Sequence, residues 1–278
     1  MTEASPVPVR HVRFSWPDDL EVVWIPDEPE FAIAANAVSL LMPHAEPYVV
    51  WSTRQSLSES LISPQDPISI EARAYVAQEA QHHAQHRRFN DLLTLQVPAI
   101  SRLDRHFGRI FSWLKRRGCR FGLAFAAAFE TIAFVAARWV DRNQRHLRGA
   151  DPSAATMFLW HLAEEVEHKS VAFNTYMATG GGRLRYGCAV VVAALVLAWG
   201  ALLGSLTMMR STGRLWKPMS HLKLARWSLS FVFAAMPTMV VSALPGHHPD
   251  QLANPAGLDN WLSNFDENTS SVPPWALP

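Results

Sequence analysis

Apolar positions recur with helical spacing through most of this chain, and the interruptions mark where the helices stop. Residues 30–42 read as a short helix stopped by Pro43, and a second helix runs from about 47 to 62, with Pro47 in its first turn. Glu46 then stands at a helix start. Ser63-Pro64-Gln65-Asp66-Pro67 is a turn, and a helix over 68–95 follows, ending before Pro98. Residues 96–118 carry Arg102, Arg105, Arg109, Lys115, Arg116 and Arg117 and read as a basic connector. The nearly unbroken apolar run from Phe121 to Ala137 marks a helix over 119–147, closing at Gly149. Asp151-Pro152 pairs an N-cap with an N1 proline, which starts a helix over 153–178 that ends at Gly180-Gly181-Gly182.

The pattern then changes. Residues 187–209 carry no charge, a run long enough to cross a bilayer. A shorter apolar run, 227–244, is interrupted by Pro237. The two predict a helical hairpin, either membrane-associated or packed as a cover on the bundle. The loop between them holds Arg210, Arg214, Lys217, Lys223 and Arg226, which a clean two-span topology would put outside, against the positive-inside tendency. Gly200 and Gly204 suit close helix packing. The expected organisation is an N-terminal arm (1–29), a bundle (30–182), an apolar helical hairpin (183–244) and an irregular tail (245–278) anchored by Trp261 and Phe265. The fold class is all-α, a ferritin-like four-helix bundle with these additions.

Polar residues inside the helical pattern carry the chemistry. In His161-Leu-Ala-Glu-Glu-Val-Glu-His168, the side chains of His161, Glu165 and His168 fall within roughly 60° on a helix of about 100° per residue. Charged groups on a buried stripe are costly unless paired or bound to metal. Glu79, His82 and His86 form a matching stripe in Gln78-Glu-Ala-Gln-His-His-Ala-Gln-His86. Two helices with Glu-x-x-His, joined by one Glu from each of two others, make a carboxylate-bridged two-metal site. Glu130 lies 35 residues before Glu165 (165 − 130), and Glu46 lies 33 before Glu79 (79 − 46). The expected ligands are Glu46, Glu79, His82, Glu130, His161, Glu165 and His168. His86 competes with His161 as the extra ligand. His83, about 40° from Glu79 on the wheel, competes with His82. Glu164 and Glu167 fall off the stripe, facing solvent or supporting the ligands from behind. Tyr75, four residues before Glu79, is a core residue or a redox tyrosine.

Composition narrows the setting. A net charge of +1 gives no basis for nucleic-acid binding. Two cysteines without CxxC spacing fit a reducing compartment, and the N-terminus lacks a signal-peptide pattern, so the expected location is cytoplasmic, attached at most to the inner face of the cell membrane. Mixed His/carboxylate ligation suits two Fe ions, or Mn with Fe.

Several stretches resemble a known family. Val12-Arg-Phe14, Trp24-Ile-Pro26, Gln78 to His82 with His86, and Trp160-His-Leu-Ala-Glu-Glu-Val-Glu-His-Lys-Ser-Val-Ala-Phe173 are similar to the bacterial proteins catalogued as predicted metal-dependent hydrolases. That resemblance implies a two-metal hydrolase of an ester, amide or phosphoester, with Zn as the metal. The family pattern has Glu-His where this chain has Glu130-Thr131, and Pro245-Gly-His-His-Pro249 resembles its Pro-Gly-Phe-His-Pro element. The pattern His-x-x-x-Glu-x-x-His also resembles the di-iron N-oxygenases of aryl amines, whose third histidine corresponds to His161. This second resemblance, with the ligand chemistry, makes the leading expectation a di-iron (or Mn/Fe) oxygenase that uses O2 and an electron donor to hydroxylate or N-oxygenate a hydrophobic small molecule, with the two-metal hydrolase as the alternative. A non-catalytic metal-binding or membrane-anchored protein is the remaining expectation, with membrane lipid as a partner.

Overall fold

A computed structural model describes residues 7–17, 19–60 and 62–274. Ten α-helices carry the described chain: α1 (Pro29–Ser39), α2 (Met42–Glu59), α3 (Pro67–Gln96), α4 (Ile100–Lys115), α5 (Cys119–Arg142), α6 (Pro152–Glu167), α7 (Val171–Ala178), α8 (Arg183–Ser211), α9 (Pro218–Ala243) and α10 (Ala256–Leu262). The class is all-α, as the periodicity predicts. Helices α2, α3, α5 and the α6–α7 pair pack around one core. Asp66 and Asp151 cap α3 and α6 by accepting from the backbone N–H of Ile68 and Ala154, each ahead of a proline at the first helical position.

Several boundaries differ from expectation, among them the end of α5 at Arg142 rather than 147, with a 3₁₀ turn over Gln144–Leu147 beyond it. Glu46 lies inside α2 rather than at its start. Pro47 removes a helix hydrogen bond and disfavours helical geometry at Glu46. Burial of Ala45, Glu46, Tyr48 and Val49 carries the helix through regardless. The basic connector is the helix α4, whose Ile100, Phe107, Phe111 and Leu114 are buried on one stripe while the cations between them face outward. The helix expected over 153–178 is broken. His168 closes α6 with φ −110° and ψ 17°, its N–H still bonds the Glu164 carbonyl at 3.2 Å, and α7 resumes at Val171. No Gly or Pro marks this break.

Helices α2 and α5 touch closely at Gly122, where a Cβ would lie 2.0 Å from Ser52 Oγ and 2.8 Å from its Cβ. Gly122→Ala is therefore expected to destabilise by about 1–3 kcal/mol through overpacking. Gly187→Ala, where the added Cβ meets only Ala243 at 3.7 Å, should gain up to about 1 kcal/mol of helix propensity. Urea unfolding of both variants checks the pair, and equal effects would contradict the packing argument.

The N-terminal arm lies along the α3 and α6 surfaces. Three glutamines of α3 serve as its hydrogen-bonding rungs. Gln78 donates to the Pro8 carbonyl, Gln85 to that of Val12 and Gln96 to that of Leu20, while Val22 N–H donates back to Gln96. Phe14 packs on Trp160, and Trp16 on Phe89. Trp24 donates to Asn36 of α1 at 2.7 Å.

Helices α8 and α9 form the apolar hairpin and pack lengthwise on α1 and α5. Three helices, α5, α8 and α9, are long and apolar enough to cross a membrane. Protein buries 72% of the α5 window, 33% of that of α8 and only 11% of that of α9. Gly200 and Gly204 serve close packing against protein, since a Cβ there would strike Leu41 at 2.3 Å and Ala37 at 2.7 Å. The tail contains α10, with Trp261 and Phe265 packed against the core.

Candidate metal centre

The bundle interior holds an acidic and histidine-rich cluster. Glu46, Glu79, His82, His86, Glu130, Glu165 and His168 are each at most 1% exposed, and His161 is 8% exposed. Two sets of candidate ligands emerge. Glu79, His82, Glu165 and His168 each present one atom within 4.8 Å of the others, and Glu46, His86 and His161 do the same. Ligands on opposite sides of an ion at about 2.1 Å lie about 4.2 Å apart, so both sets are of a size that closes on one ion.

Glu165 links the sets. Its Oε1 lies 2.7 Å from His161 Nε2 and 3.6 Å from His82 Nδ1. Glu46 Oε1 is 3.6 Å from the same His161 nitrogen. Glu130 stands beside both sets rather than in either. It accepts from Tyr75 OH at 2.5 Å, lies 3.0 Å from His168 Nδ1 and neighbours Glu165. His83 is half-buried and outside both sets.

Unpartnered atoms test whether metal fits. Both oxygens of Glu46, Glu79 Oε1, Glu165 Oε2, His82 Nδ1 and His168 Nε2 are buried without a hydrogen-bond partner. Six orphaned ligand atoms converging in one interior would be costly in a site meant to stay empty. They are the atoms that cations would satisfy, and the donor set, carboxylate and imidazole without sulfur, suits borderline and hard metals.

The outer nitrogens of three histidines are already held. His82 Nε2 is 2.9 Å from Glu164, which also meets Arg10 of the arm at 3.3 Å. His168 Nδ1 meets Glu130, and His86 Nδ1 meets Ser39 Oγ at 2.8 Å, which donates in turn to Asn90. Such partners fix ring orientation and tautomer, leaving the inner nitrogens of His82 and His168 for metal, whereas His86 Nε2 bonds His161 Nδ1 at 2.6 Å and would exchange that bond for an ion. Glu164 thus supports His82 from behind, one of the two roles open to it from sequence. Glu167 is pinned by two Arg10 contacts at 2.7 and 2.8 Å. Sequence reasoning missed Arg10, Ser39 and Asn90, which lie far along the chain from the residues they hold. For Arg10 the one available signal is its place just before Val12-Arg-Phe14.

Protonation reflects this crowding. Burial, then the charge of Glu79, raises the Glu46 carboxyl well above the usual range. Burial, then Glu130 and Glu79, does the same to Glu165. Burial opposes the charging of His82, but its hydrogen bond to Glu164 and the nearby Glu79 carboxylate, 3.5 Å away, outweigh it and hold its pKa up at about 10. Burial, with His82 adding its charge, drives His86 down to about 3. Burial and the neighbouring histidines likewise keep His161 neutral.

Glu164→Gln keeps the volume of the side chain and removes its charge. It is expected to weaken metal binding about 10–100-fold, as losses of such supporting carboxylates do. Competition titration against a chelator measures this, and unchanged affinity would remove Glu164 from the centre.

An all-helical bundle with a buried His/Glu cluster of this kind has the residues to hold a divalent metal ion. The family comparison agrees: the model for "Predicted metal-dependent hydrolase" matches residues 8–253, and the chain belongs to that family. No curated protein and no solved structure gives a significant match.

Proposed function

We propose that the protein is a hydrolase that uses two metal ions, one in each ligand set, to cleave an ester, amide or phosphoester in a hydrophobic small molecule. The convergence of six orphaned ligand atoms on one interior carries the reading. The sets are unequal. Glu79, His82, Glu165 and His168 offer four protein ligands, whereas Glu46, His86 and His161 offer three. Closed four-ligand sites are typically structural, and three-ligand sites keep a position for water or substrate. Metal ions there supply Lewis-acid polarisation of a substrate oxygen and water activation near neutral pH.

The chain's own residues have distinct tasks in this reading. Glu165 ties the two positions together. Glu164 and Glu130 orient His82 and His168, and Ser39 orients His86. Arg10 holds Glu164 in place. A cleft of about 520 Å³ opens between α2 and α3 and is lined by Leu57, Ile62 and Val76 among others, with Arg54 and Arg73 at its edge. Leu57 lies 11 residues after Glu46 (57 − 46), on the same stripe of α2. The cleft's mixed lining shares no residue with either ligand set, and its apolar part is what supports a hydrophobic substrate.

One observation favours a second reading, a di-iron or Mn/Fe oxygenase. Tyr75 OH bonds Glu130, and its ring meets His168 edge-on at 4.9 Å between centroids. That places an oxidisable phenol beside the centre, as oxygen chemistry with an outside electron donor can use. Metal analysis of protein purified from cells separates the two, together with a panel of chromogenic esters, amides and phosphoesters assayed without oxygen or reductant. Bound Zn or another divalent metal with anaerobic hydrolysis is the expected result. Two Fe per chain, oxygen uptake with reductant and no hydrolysis would replace the hydrolase with the oxygenase. Protein that binds no metal would overturn both.

A further inference from the structure

The outer face of the α8–α9 hairpin takes no part in the metal centre. It exposes large apolar side chains along its whole length, among them Leu195 at 64%, Trp216 at 89%, Leu222 at 61% and Phe233 at 74%. Contiguous apolar surface on this scale marks an interaction site. Charge identifies the partner. Residues 183–244 contain seven Lys and Arg and no Asp or Glu. Arg185, Arg210 and Lys217 are exposed and form no ion pair among the described residues, and they sit at the two ends of the apolar face. Arg214 and Lys223, by contrast, are spent on Glu28 and Glu30 of the bundle side.

The same helices are fixed flat against the bundle. Tyr186 of α8 meets Thr131 of α5 at 2.9 Å, and Trp199, farther along α8, donates to His106 of α4. Ser220 of α9 donates to Glu30 at 2.6 Å, and Trp139 of α5 donates to Ser230. A bilayer crossed by α8 and α9 would have to take in α4 as well, with exposed Arg102 and Arg105 at hydrocarbon depth, where cations are costly.

We propose that the hairpin docks in the plane of an anionic membrane surface, its apolar face sunk into one leaflet, without crossing it. An apolar helical face rimmed by cations and a tryptophan is the pattern of interfacial binding. Basic residues near an anionic surface add about 1 kcal/mol each. In-plane docking also removes the conflict with the positive-inside tendency, because no loop cation is translocated.

The experiment floats the full chain with vesicles of phosphatidylglycerol and phosphatidylcholine, and with phosphatidylcholine alone. Binding to the anionic vesicles is expected to be at least about 10-fold tighter. Arg210→Gln with Lys217→Gln should erase that preference, and Leu195→Ser with Phe233→Ser should abolish flotation without loss of bound metal. Topology is read in a Cys188→Ser background, where the remaining native Cys119 is buried, with one cysteine added at exposed Ser211 (Ser211→Cys) or Asp91 (Asp91→Cys). A membrane-impermeant maleimide added outside the vesicles should label both equally. Protection of the Ser211→Cys site alone would show that the hairpin spans and overturn the in-plane arrangement. A stable dimer that ignores vesicles would assign the face to a second copy of the chain and overturn lipid docking.

Discussion

Glu165→Ala is expected to empty both metal positions and to lower activity at least about 100-fold, beyond the usual loss for a supporting residue. Glu165 is a ligand of the four-residue set, and its Oε1 also lies 2.7 Å from His161 of the other, so its removal disturbs both positions at once. Glu46→Ala should behave differently. Glu46 belongs to the three-residue set alone, and that variant should retain about one ion per chain in the four-ligand position. Metal content by mass spectrometry, read beside thermal unfolding, distinguishes ligand loss from misfolding. If both variants keep two ions, the assignment of the centre is wrong. If both lose all metal, the two positions do not fill independently.

Stripping the metal should reverse how stability responds to pH. Unfolded histidine gives up its proton near 6.5, whereas folded, metal-free His82 keeps it to about 10. The folded state therefore binds the extra proton, and this contribution is full below pH 6.5 and is lost as pH rises toward 10. Glu46 and Glu165, raised well above the ordinary carboxyl range, act in the same direction, since folded carboxyls hold protons that the unfolded chain has released. His86 and His161, pushed down, are neutral in both states above the ordinary histidine range and add no slope there. The metal-free protein should lose on the order of a few kcal/mol between pH 6.5 and 10. Metal requires deprotonated ligands, so loading strengthens over the same window. Urea unfolding with metal and with chelator, at pH 7 and pH 9.5, should show the gap widening with pH. Parallel behaviour would mean that the buried carboxyls are not what the metal satisfies.

The centre was largely legible because its chemistry is local. Glu79 with His82, and Glu165 with His168, are three residues apart on single helices, and helical geometry alone puts each pair on one face. The all-α fold was legible for the same reason. Glu130 announced itself as a carboxylate in an apolar run, but its bonds to Tyr75 and His168 depend on how α3, α5 and α6 pack, which no single-helix pattern contains. The grouping of His86 with Glu46 and His161 likewise joins three helices. Helix α4 is masked in the sequence because its arginines interrupt the stripe of Ile100, Phe107, Phe111 and Leu114 that the fold buries. The break at His168 has no local cause in the residues around it.

The arm bears on a different property of the centre. Arg10 and Glu167 are 157 positions apart, so their pairing is among the least local contacts in the chain. Non-local contacts of this kind form late, once the elements they join already stand. The arm is then expected to lie down on a bundle that already stands, rung by glutamine rung. Through Arg10 and Glu164 the arm reaches His82, so the orientation of one buried imidazole depends on a segment near the other end of the chain.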